Sequence, residues 1–110
     1  EAIAQANLGA MYDTGRGVAE NDSTAIKWLN LAAAQGYAHA QAYLGVMYVN
    51  GEGVTADYLR AYMWWSLAAD NGDQPSAQYK QSIASKMSPA HLIKAQQMAT
   101  KCFNSGYDDC

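Results

Sequence analysis

The sequence predicts an all-α fold, a solenoid of antiparallel helix pairs with about six helices. Three observations predict it. The chain repeats itself with a period of 36, apolar residues within each period recur at helical spacing, and glycines close the helices. Shifted by 36, Ala2, Ala4, Gln5 and Ala6 fall on Ala38, Ala40, Gln41 and Ala42, and Leu8, Gly9, Met11 and Tyr12 fall on Leu44, Gly45, Met47 and Tyr48. Gly15, Gly17 and Val18 fall on Gly51, Gly53 and Val54. Ala25, Trp28, Leu31, Ala32, Ala33 and Gly36 fall on Ala61, Trp64, Leu67, Ala68, Ala69 and Gly72. The 110 residues therefore divide as one repeat domain: 1–36, 37–72, and a degenerate third repeat with a capping helix over 73–110.

The first helix of each unit carries the stripe Ala4, Leu8, Met11, Tyr12, repeated as Ala40, Leu44, Met47, Tyr48. Gly9 and Gly45 lie inside it at a cost of about 1 kcal/mol against Ala, so a second helix is expected to approach closely there. Gly15-Arg16-Gly17 and Gly51-Glu52-Gly53 end it, since glycine takes the left-handed C-terminal conformation. The second helix opens at Asn21 or Asp22 in unit one and at Asp57 in unit two. Its stripe is Ala25, Trp28, Leu29, Ala32, then Ala61, Trp64, Trp65, Ala68, and Gly36 and Gly72 end it. Small residues let helices approach while Tyr12, Tyr48, Trp28 and Trp64 fill the remaining space.

The third unit lacks the Gly-x-Gly-Val turn, and its register is ambiguous by one to three residues. Pro75 suits the first turn of its first helix, whose stripe is Tyr79, Ile83, Ala84 and Met87. Ser88-Pro89 starts the last helix, with Leu92, Ala95, Ala99, Cys102 and Phe103 inward and Gly106 at its end. Cys102 and Cys110 are either two free thiols or a disulfide that folds the tail back. The even count and short spacing favour the disulfide, which stabilises by roughly 2–3 kcal/mol on the chain-entropy model, and with it an oxidising compartment. The start at Glu1 shows no charged stretch followed by an apolar one, so we read a processed chain or a piece of a longer one.

The pattern Ala-x-x-x-Leu-Gly-x-x-Tyr-x-x-Gly-x-Gly-Val, then Ala-x-x-Trp-x-x-Leu-Ala-Ala-x-x-Gly, resembles the Sel-like repeat family, a relative of the tetratricopeptide repeats. The resemblance covers residues 2–72 as two repeats and 73–110 more weakly. It implies a right-handed, tetratricopeptide-like α-solenoid that serves as a protein-interaction scaffold. Many bacterial members look to be exported, and a C-terminal cysteine pair fits a periplasmic or secreted protein. Some cysteine-rich members are described as β-lactam hydrolases, but they carry a cysteine pair in each repeat. A secreted hydrolase of β-lactam or cell-wall-like substrates is therefore the alternative to a non-catalytic scaffold.

Composition narrows the chemistry. A formal charge of −3 speaks against a nucleic-acid binder, which needs a basic surface. No apolar run reaches the ~20 residues of a membrane span. His39 and His91 stand far from the cysteines, so no metal spacing arises, and Gly-x-Gly after a helix is no phosphate loop; neither metal nor cofactor is expected. Charge is uneven: residues 1–73 carry −5, and residues 74–107 carry +4 from Lys80, Lys86, Lys94 and Lys101. Self-association through a bipolar surface, or through an uncovered N-terminal end, is left open. In a two-helix solenoid the first helix of each unit lines the concave face. The expected partner-binding residues are thus Ile3, Asn7 and Ala10 in unit one, and His39, Tyr43, Val46 and Asn50 in unit two. Tyr43, Tyr58 and Tyr62 fall off the core stripes and are expected as exposed aromatic contacts.

Overall fold

The computed structural model describes residues 22–51, 57–108 and 110. Within them the chain forms five helices: α1 (Asp22–Ala33), α2 (Ala38–Asn50), α3 (Tyr58–Asp70), α4 (Gln74–Ala84) and α5 (Pro89–Asn104). The first helix expected from the sequence, with Leu8, Gly9, Tyr12, Gly15 and Gly17, lies outside the described residues, as do Asn21 and Gly53.

Three helices begin where a side chain takes up free N–H groups. The Asp57 carboxylate accepts from the amides of Leu59 at 3.0 Å and Arg60 at 3.1 Å. Asp73 accepts from the Ser76 amide at 3.2 Å, and Ser88 Oγ from that of His91 at 3.1 Å. Pro75 and Pro89 stand in the first turns that follow. The start of α2 has no side-chain cap; the turn before it closes on backbone bonds from Gly36 to Ala33 and from Tyr37 to Ala32. Gly51 ends α2 at φ +72, a left-handed value that costs glycine nothing, and its N–H donates to the Met47 carbonyl.

α1 packs on α2, while α3 packs on α2, α4 and α5 at once. Residues 61–68 of α3 are accordingly all buried. On one side Met63, Trp64 and Leu67 meet Leu29, Ala32, Ala33, Ala40, Leu44, Met47 and Cys102. On the other, Ala61, Tyr62 and Trp65 meet Ile83 and Ala95. Half-buried Tyr48 touches both clusters.

The close approach expected at Gly45 is between α2 and α3. A Cβ built there would lie 2.3 Å from Nε1 of Trp65, well inside contact distance. The indole fills the space the missing side chain leaves, and its N–H donates to the Ala42 carbonyl at 3.1 Å. Leu44, Gly45 and Trp64 are buried, and Trp28 is half-buried.

Three side chains depart from the sequence expectation. Tyr62 is 8% exposed, because α3 is covered on more than one side and a single-stripe reading misses its second face. Tyr79 and Phe103 are 46% and 56% exposed, because their stripes extend past the contact made by the neighbouring helix. The register of α4 and α5 also becomes definite. Ser76, Tyr79 and Ile83 stand to α4 as Ala40, Tyr43 and Met47 stand to α2, a shift of 36. Buried Ala95 and Cys102 stand to α5 as buried Ala61 and Ala68 stand to α3, a shift of 34, and positive-φ Gly106 follows positive-φ Gly72 by the same 34. Two residues are thus missing from the turn between α4 and α5.

Gly45→Ala should destabilise the fold by about 2 kcal/mol, although Ala is the better helix former by ~1 kcal/mol, because the indole must leave its site. Urea unfolding measures this; a Gly45→Ala protein as stable as the parent would remove the close approach as a constraint.

Candidate protein-interaction groove

The exposed side of α2 carries His39, Tyr43, Val46 and Asn50, spaced four, three and four residues apart and therefore on one face. His39 and Asn50 are exposed, Val46 is 38% exposed and Tyr43 is half-buried. No Asp, Glu, Lys or Arg occurs anywhere in α2. α4 runs beside it as a second wall, offering Pro75 and Tyr79. Between them Trp65 of α3 forms part of the floor, its ring 5.4 Å from that of Tyr79 and inclined by 49°.

Two depressions lie along this groove. One, of about 210 Å³, is lined by Val46, Val49, Asn50, Trp65 and Tyr79. The other, of about 220 Å³, is lined by His39, Ala42, Tyr43, Val46, Asp73, Pro75 and Tyr79. Val46 and Tyr79 border both, so they stand as the ridge between two cups. Covering apolar side chains of this size yields at most about 1.5–3 kcal/mol each.

The structure brings His39, Tyr43, Val46 and Asn50 together on this groove; Ile3, Asn7 and Ala10 lie outside the described residues. The second wall was missed. A 36-residue shift aligns Tyr43 with Tyr79, but the missing turn concealed that register. Also missed was Gln41. It is fully buried; its Nε2 donates to the Ala33 carbonyl at 3.1 Å, and its Oε1 accepts from Asn71 Nδ2 at 3.0 Å. The repeated pair Gln5 and Gln41 was the available signal.

Elsewhere, a shallow hollow of about 680 Å³ follows the outer side of α5 past Ile93, Gln97 and Thr100; all its lining residues belong to that helix and its end. His91 stands in the first turn of α5, away from His39 on α2. Among the described residues no three of His, Cys, Asp and Glu gather as a metal site, and no helix is long and apolar enough to cross a membrane. Cys102 and Cys110 are joined by a disulfide, with Cα atoms 4.6 Å apart.

The Sel1 repeat family profile matches residues 2–37 and 38–73. No curated protein matches the chain. Among solved structures, the chain is similar to c5321, described as a protective antigen present in uropathogenic Escherichia coli strains displaying an SLR fold. The TM-score is 0.92 and the identity 28%, over 97% of this chain and 24% of that one. It is also similar to a Sel1 repeat protein from Oxalobacter formigenes, with a TM-score of 0.72 and 36% identity over 74% of this chain and 62% of that one. The chain thus spans about a quarter of the first structure's length and under two thirds of the second's.

Val46→Asp should leave stability within about 0.5 kcal/mol, as exposed substitutions do. Trp65→Ala should cost roughly 3–5 kcal/mol, because it empties a filled core position. Urea unfolding of both variants separates the surface of the groove from its floor. Equal losses would mean that Val46 belongs to the core.

Proposed function

The chain belongs to the Sel1 repeat family, and from that premise we propose that it is a non-catalytic scaffold whose α2–α4 groove binds a segment of a partner protein. The paired cups at Val46 and Tyr79 carry this reading. They are lined mostly by apolar side chains, with Asp73 at the edge of the second, and they are bordered by a helix without charged side chains. A partner segment would seat two apolar side chains, one in each cup, as a helix presents them at i and i+4. The residues proposed to make the contact are His39, Tyr43, Val46 and Asn50, with Ile3, Asn7 and Ala10 continuing the face in unit one.

We further propose that the protein works outside the cytoplasm, in the periplasm or secreted. The Cys102–Cys110 disulfide supports this, because such bonds persist in oxidising compartments. The likeness to a protein described as a protective antigen is in keeping with it.

A photocrosslinking side chain at Val46 should capture one defined protein in the producing cells, while the same group at Thr100 on α5 should not. Tyr43→Asp should reduce the Val46 adduct at least tenfold, since it replaces an aromatic ring by a second carboxylate beside Asp73, which an apolar side chain would have to desolvate. Equal capture at Val46 and Thr100 would sink the groove reading.

Thiol titration of the unfolded, unreduced chain should find no free thiol. Two free thiols would remove the support for an oxidising compartment.

A further inference from the structure

We propose that the segment after α5 is a thiol-controlled brace that holds the two walls of the groove in place. It reaches the starts of both walls through a chain of polar contacts that runs from the exposed Asn71 amide to buried Gln41. Tyr107 holds φ +67, which side chains rarely adopt, so its surroundings must fix it. Its ring lies over the α1–α2 turn, where a Cβ on Gly36 would come to 3.4 Å. Its hydroxyl accepts from Asn71 Nδ2 at 3.0 Å. That same amide donates to Gln41, which donates to Ala33. Two helices, α1 and α2, and the residues that follow α3 and α5 are thereby tied into one chain of hydrogen bonds.

The two middle members sit at the roots of the groove walls. Gln41 is in the first turn of α2, between His39 and Tyr43. Asn71 lies two residues before Asp73, the cap of α4, which carries Pro75 and Tyr79. The disulfide keeps the brace seated. Cys102 is fully buried, whereas Cys110 is partly exposed, packs on the core edge and accepts from Arg60 Nη1 at 2.8 Å through its carbonyl.

Control follows from ordinary exchange chemistry with a dithiol reductant. A thiolate of the dithiol attacks Sγ of Cys110, the less buried of the two cysteines. The S–S electron pair leaves on Cys102 Sγ, which takes up a proton. The second thiol of the reductant then breaks the mixed disulfide. Both cysteines end as thiols, and the dithiol ends as its own disulfide, two electrons poorer. Tyr107 is then held only by weaker non-covalent contacts, chiefly its amide on the Cys102 carbonyl at 2.8 Å, and the Gln41–Asn71 link loses its covalent anchor.

The control of binding rests on the groove being the binding face, but the brace can be read without a partner. Amide hydrogen exchange on the whole chain, before and after dithiothreitol, is the measurement. The Gln41 and Ser76 amides should exchange about tenfold faster after reduction, the scale of losing one net hydrogen bond. Trp64 and Leu67 in the middle of α3 should stay unchanged. Cys110→Ser should match the reduced protein without reductant. Tyr107→Phe should speed exchange at Gln41 with the disulfide intact. Acceleration confined to residues 103–110, or equal acceleration throughout α3, would overturn the brace. Photocrosslinking from Val46 in both redox states separates the two readings. Equal adducts in both states would refute the control and leave the groove standing. No adduct in either state, with exchange altered as expected, would refute the groove and leave the brace standing.

Discussion

The contact between Gly45 and Trp65 is the constraint on which the other packing depends. An indole seated where a side chain is absent brings α2 and α3 together, and its N–H fixes the ring by bonding to the Ala42 carbonyl. The ring then serves two surfaces at once. One side belongs to the core with Ile83 and Ala95, and the other meets Tyr79 at the floor of the groove. The groove is therefore a by-product of a core contact, and its shape is as rigid as the packing beneath it.

Polar interactions divide sharply by burial. The Arg60–Asp57 pair, 3.5 Å apart with both side chains more than a third exposed, contributes little, as surface pairs do. Gln41 is different. Its amide is out of water, and leaving either end unpaired would cost about 1–3 kcal/mol. Ala33 and Asn71 meet both ends, and that requirement fixes how α1, α2 and the end of α3 sit together. A buried amide with two partners specifies an arrangement more narrowly than apolar contact does, because hydrogen bonds carry direction.

The fold was legible because its information is periodic. Spacing placed the helices, glycines placed their ends, and the repeated Gly9 and Gly45 announced a close approach before any partner for it was known. The site was legible only in half. His39, Tyr43, Val46 and Asn50 follow from one helix face, but the opposite wall comes from α4, whose register the missing turn obscured. Tyr62 shows the other limit. A stripe identifies one buried face, whereas a helix in the middle of a stack has more, and the sequence of α3 alone does not state how many neighbours it has. The network through Gln41 and Tyr107 joins residues 66 positions apart, a separation at which periodicity carries no information.

Burial also explains why the groove stands out from the remaining surface. Moving 34 residues from α3 to α5, Tyr62 becomes Gln96, Met63 becomes Gln97, Ser66 becomes Thr100 and Leu67 becomes Lys101. Each of these is buried in α3 and exposed in α5, so the second helix turns polar where no neighbour covers it. Ile93 and Phe103 stay exposed there, ten positions apart, as single apolar residues on a soluble surface often do. The first helix behaves otherwise. Moving 36 residues from α2 to α4, Tyr43 remains an aromatic at Tyr79, although Tyr79 is 46% exposed. Its ring lies 5.4 Å from that of buried Trp65, so the repeated aromatic covers α3 on one side and stands open beside Val46 on the other. The groove wall and the core cover are thus the two sides of one side chain, which is why an aromatic persists at a position almost half exposed.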